Sequence, residues 1–180
     1  MLIFPEKMRL ILFFCLSLTL SPISGQDLAF PEAWRGTWSG ELRVFQGRQN
    51  VQNIPMTLTI QPTVDDRYTW HIQYGTDTAD LRKYQLVPVE PDVGYYAIDE
   101  QNGIVLDAYL QGDTFYSSFS VSGNKLLTRV RKRDNTLEYE ITAGPLASTG
   151  ETGGLSAEIL PVQLFQIRTL QRAMLRKEEW

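Results

Sequence analysis

The sequence predicts an all-β chain: a closed antiparallel up-and-down β-barrel of about eight to ten strands. Three observations predict it. Apolar and polar residues alternate with period two from Thr37 onward. Turn formers interrupt the alternation at short intervals, as at Gly47, Asn102-Gly103, Gly112-Asp113, Ser122-Gly123 and Asp134-Asn135. No long apolar stripe of helical period is present. Hairpin-length links give a meander, and closing a meander of this length removes both of its exposed edges. A sandwich would need longer crossing connections than the chain offers outside 143–157.

Each element follows from its alternation. Residues 26–36 are a lead-in, with one turn at Ala33-Trp34-Arg35. The barrel domain is expected over 37–177. In the first strand Trp38, Gly40, Leu42 and Val44 share a face, against Ser39, Glu41 and Arg43. Ile54, Met56, Leu58 and Ile60 alternate in the second, with Pro55 marking an edge or bulge. Tyr68, Trp70, Ile72 and Tyr74 form one face of the third. Residues 81–89 make a fourth strand, limited by Pro88, and 95–99 a short fifth. The hairpin signal Asn102-Gly103 leads into 104–110. Phe115, Ser117, Phe119 and Val121 alternate next, then 125–131, then Leu137, Tyr139 and Ile141. Residues 143–157, rich in Gly, Ser, Thr and Glu, read as a mobile loop. The chain closes with a strand from Val162 to Lys177 and a frayed tail.

The 180 residues suffice for one domain with a sizeable core. Composition is 43% apolar and 21% charged, with a formal net charge of −4. That balance opposes a nucleic-acid binder, which needs a basic stripe. The cluster Arg129, Arg131, Lys132 and Arg133 reads as the solvated end of a strand. Residues 1–25 match a secretory signal peptide: Lys7 and Arg9, an apolar run from Leu10 to Leu20, then small residues from Ser21 to Gly25. The run is too short to span a bilayer. The mature protein is therefore expected to be exported, periplasmic or secreted, with no transmembrane span. Cys15 is the single cysteine and lies inside that run. Removal of the signal leaves no disulfide, thiolate nucleophile or cysteine metal site.

Gly36-Thr37-Trp38, preceded by a single turn and entering the first strand, resembles the calycin superfamily. That group includes lipocalins, fatty-acid-binding proteins and their bacterial lipocalin-like relatives. The resemblance implies that Trp38 plugs one end of the barrel, with Gly36 at the entry and an arginine of the last strand across the indole. Arg172 is the match for that arginine and Arg168 the fallback. Trp34 and Trp38 together also resemble the nitrobindin-like haem barrels. Their histidine ligand comes from near the C-terminus, where this chain has Gln171, Arg172 and Met174. The only histidine, His71, sits on the polar face of its strand, so no haem, other cofactor or metal is expected.

A barrel of this size holds one small ligand in its mouth. Met56, Tyr68, Trp70, Tyr74, Phe115, Phe119 and Tyr139 are the candidate lining residues, or else ordinary core. The leading expectation is a monomeric or weakly associating carrier of a small apolar or amphipathic molecule, without catalysis. A second reading is an isomerase or cyclase using Asp107 or a tyrosine as proton shuttle. A third is a packed envelope module whose 143–157 segment meets a protein partner. An empty cavity would favour the first two readings, and a titrating carboxylate beside ligand would separate them.

Overall fold

The computed structural model describes residues 29–179. The expected signal peptide lies outside the described residues. Ten strands close a single antiparallel barrel: β1 (Gly36–Gln46), β2 (Gln49–Ile60), β3 (Tyr68–Tyr74), β4 (Leu81–Glu90), β5 (Tyr95–Asp99), β6 (Val105–Gln111), β7 (Thr114–Val121), β8 (Asn124–Arg133), β9 (Thr136–Pro145) and β12 (Thr169–Lys177). Every neighbour in the barrel is also a neighbour in sequence, except that β12 closes between β9 and β1. Among the described residues no helix is long and apolar enough to cross a membrane.

The alternation sets the faces. Trp38 and Leu42 point inward and are buried, while Glu41 and Arg43 between and beyond them are exposed. Two prolines sit where a ladder can spare an N–H. The carbonyl of Pro55 accepts from the Gly75 amide at 2.7 Å, so its nitrogen also faces the side where β3 has ended. Pro88 borders the register shift between β4 and β5. At the β5–β6 turn the positive φ falls on Gln101 and Gly103, while Asn102 Oδ1 accepts the Ile104 amide at 3.0 Å.

One end of the barrel is closed. A 3₁₀ turn at Glu32–Trp34 folds beneath β1, and the Trp38 indole donates to the Trp34 carbonyl at 2.9 Å. Phe30 packs edge-on against Trp34 and Tyr96 at centroid distances of 4.8 and 4.9 Å, and lies 5.0 Å from Phe115. Trp38 is 0% exposed.

The barrel floor corrects one expectation. Arg172 does not cross Trp38. It is exposed on the outer face and holds Glu140 through Nε and Nη2 at 3.0 and 2.9 Å. Ala173 and Leu175 are the inward residues of β12, so period two places Arg172 outside and sets Lys177, exposed at the end of the strand, on the register of Trp38. Lys177 Nζ lies 5.5 Å from the Trp38 ring centroid and supplies the cation. Arg168 is also exposed and bonds Gln166. The tail is tied rather than frayed at its start: the Lys177 and Glu178 amides donate to Asn135 and Thr37 carbonyls at 3.1 and 2.8 Å.

The segment expected to be a loop is partly strand. Residues 143–145 complete β9, and β10 (Gly150–Thr152) pairs with β11 (Val162–Leu164) in a separate two-stranded arm. The predicted last strand is therefore split, because its first residues pair within the arm and its last nine join the barrel.

Candidate functional site

The seven candidate lining residues divide into three at the closed end, three nearer the mouth and Met56 between them. Trp70 and Phe115 lie 5.4 Å apart at the closed end and are buried against the plug. Tyr68 belongs with them. Its hydroxyl donates to Glu32 at 3.1 Å, and burial together with that carboxylate pushes its pKa up. Glu32 also bonds Arg35, which holds its carboxyl below the usual range. Tyr68 borders a cavity of about 220 Å³ beneath the lead-in, also lined by Phe30, Arg67 and Tyr96. Met56 is buried at mid-height, facing Tyr74 across β2 and β3.

Tyr74, Tyr139 and Phe119 are in the half nearer the mouth. There the inward face is less covered. Tyr84, Leu106, Phe119, Thr128, Ile141 and Gln171 all share the inward register, yet each is only partly buried. Solvent thus reaches part of each of them at the open end of the barrel, a shallow cup in which Tyr74, Tyr84, Leu106 and Ile141 pack against the buried core.

The polar centre of the cup is a cluster on β3, β4 and β9. The hydroxyls of Tyr74 and Tyr139 are 3.3 Å apart. Tyr139 is 4% exposed, and burial raises its pKa well above the ordinary phenol value. Burial raises Tyr74 as well, against the lowering effect of Tyr139 and Arg82. Both phenols are therefore neutral at physiological pH. The Arg82 guanidinium lies over the Tyr74 ring, 5.2 Å from its centroid. Tyr84, against the opposing effect of burial, pushes the Arg82 pKa further up, so the cation is permanent. Arg82 forms no salt bridge among the described residues.

This arrangement is rich in donors. Two phenols that bond each other use one of their two protons, and the other remains available. A guanidinium beside it adds a charged fork. An oxygen-bearing anion fits such a site, and an apolar body attached to it fits the walls.

Arg82 and Tyr84 were not among the candidates, although counting back by twos from buried Leu86 places both on the inward register, Tyr84 partly buried and Arg82 exposed at the rim. Lys177 was missed in the same way. Asp107 is on the outer face, exposed, accepting from Tyr95 at 2.8 Å, and has no route to a molecule in the cup. His71 also faces outward, with Lys83 beside it in the ladder.

No protein-family model matches the chain, and no curated protein does. Two solved structures share its fold. One is a protein of unknown function from the DUF3598 family of Nostoc punctiforme PCC 73102, 10% identical, with a TM-score of 0.57 over 80% of this chain. This chain spans only 47% of that protein's length. The other is the S-type phycobiliprotein lyase CPES of Guillardia theta, 11% identical, with a TM-score of 0.53. That match covers 83% of this chain and 90% of the lyase.

Proposed function

We propose that this chain is an exported calycin-type barrel that carries one small amphipathic acid in its cup. The observation that carries the reading is the donor-rich cluster of Arg82, Tyr74 and Tyr139, set among the partly buried apolar side chains Leu106, Phe119 and Ile141. A permanent cation with a spare phenol proton favours a carboxylate, and Leu106, Phe119 and Ile141 favour an apolar body behind it. The likeness in fold to a phycobiliprotein lyase supports trying a bilin-like pigment first, since such molecules join a conjugated apolar body to carboxylates. Export rests on the signal-like run at 10–20.

The test is mass spectrometry of an organic extract from protein purified natively from its own host. A stoichiometric apolar acid is expected from the wild-type protein. At least tenfold less is expected from Arg82→Gln, whose melting temperature should stay within about 2 °C of wild type because the side chain is at the open rim. A clean blank from the wild-type protein, repeated after mild handling, overturns the reading.

A further inference from the structure

The chain leaves the barrel rim at Pro145 and returns at Thr169. Between them, β10 and β11 make an arm of three-residue strands, too short to be stable by pairing alone. Its base rests on the barrel, where Lys125 Nζ is 5.7 Å from the Phe165 centroid and the Arg168 amide donates to Ala143 at 2.8 Å. Beyond the base its apolar side chains are exposed to water. Leu155 is 89% exposed and Leu160 75%, and Ile159, Val162 and Leu164 are exposed as well. Apolar surface gathered in this way marks an interaction site.

Two further features identify the partner. The backbone at the tip is closed on itself: Gly154 donates to Ile159 at 2.9 Å, and Ile159 donates to Ser156 at 3.1 Å. Those amides enter a low-dielectric medium already paired. Charge around the mouth is also divided. On the arm's side, β8, β12 and the β1–β2 turn bring Lys125, Arg168 and Arg48 to the rim. Across the mouth, β3 to β6 bring the four acids Asp77, Asp80, Asp99 and Glu100 against the two cations Arg82 and Lys83. Among the described residues, the three cations form no salt bridge. The arm has two acids of its own, Glu151 and Glu158, so the attraction comes from the rim.

We infer that the arm docks this protein on an anionic lipid surface, with Leu155, Ile159 and Leu160 entering it and Lys125, Arg168 and Arg48 meeting the headgroups. A second copy fits less well, because two-fold pairing about the arm sets Lys125 and Arg168 against their own images. Docking holds whatever the cup contains, and a failed extract leaves it untouched.

The test is flotation of natively purified protein with vesicles of phosphatidylcholine alone or mixed with phosphatidylglycerol. Wild-type protein is expected to float with the mixed vesicles. Leu155→Asp with Leu160→Asp should lower the bound fraction about tenfold. Lys125→Glu with Arg168→Glu should erase the preference for the anionic lipid. Val64→Asp makes the same kind of change at the closed end, at a side chain 98% exposed, and should float like wild type. Unchanged circular dichroism keeps every variant interpretable. Wild-type protein that stays with the unbound fraction overturns the proposal, as does a tip variant that floats normally. Lipid-free dimers lost in the tip variant overturn it in favour of a second copy.

Discussion

The closed end and the mouth of the barrel are built from the same ten strands with the same alternation, yet only one end is fully buried. At the closed end the inward side chains Trp38, Ile60, Trp70, Leu86, Leu137 and Leu175 are all buried. Toward the mouth the same register delivers Tyr84, Thr128 and Gln171, left partly in water. The strands do not make this difference. The N-terminal lead-in folds under one end and inserts Phe30 and Trp34. At the other end a longer piece of extra chain, between Pro145 and Thr169, forms the arm, most of whose side chains are exposed. A capped end can be apolar throughout. An uncapped end can keep an arginine and several hydroxyls on its inner wall because water satisfies them until a ligand does.

The comparison predicts that stability resides at the closed end. Trp38→Ala should cost about 3–5 kcal/mol in urea unfolding, the largest effect expected of any single change discussed. If Arg82→Gln at the mouth cost as much, the division between a structural end and a binding end would be broken. Gly36→Ala comes next. Gly36 has φ of 143°, and a Cβ there would lie 2.6 Å from Lys177 Cε. A loss of about 1–3 kcal/mol is expected, read from the same unfolding curves. Lys177→Met keeps most of the stem over Gly36 and removes the cation above Trp38. A smaller loss, about 0.5–1 kcal/mol, would assign the floor contact to Lys177, and no loss would assign it to packing alone.

The smallest effect concerns pH. Burial, then Lys83, lowers the pKa of His71 below its ordinary value of 6.5. A histidine depressed on folding binds its proton more readily in the unfolded chain. Stability is therefore lost as pH falls below 6.5 toward the folded value. His71→Gln should flatten the melting temperature between neutral and mildly acid pH by about one degree. An unchanged profile would trace that slope to other groups.

Much of this molecule was legible in its alternation. The faces of β1, β2, β3 and β9 follow from the residues, and Trp38 is buried on the inward face of β1. Arg172 shows how the same rule can be misapplied. It was matched by residue type and strand, while counting by twos from Ala173 and Leu175 would have placed Lys177 over the indole. Arg82 was overlooked because a charged residue lowers the apparent quality of a strand, although its register with Ile72 puts it on the inner face. The arm was hidden by composition: residues 143–157, with Gly153 and Gly154, read as loop, and Val162 to Leu164 read as the start of the final barrel strand.

By itself the sequence determined the strands, the turns and hence the closed meander, because each depends on neighbouring residues through the two-residue period and local φ preferences. Only the tertiary structure decided which end is fully buried, which cation covers Trp38 and which phenols meet. Tyr74 and Tyr139 are 65 residues apart, and their contact exists because barrel closure fixes the register of every intervening strand. No local pattern encodes that sum of registers, and the cup with its donors is a product of it.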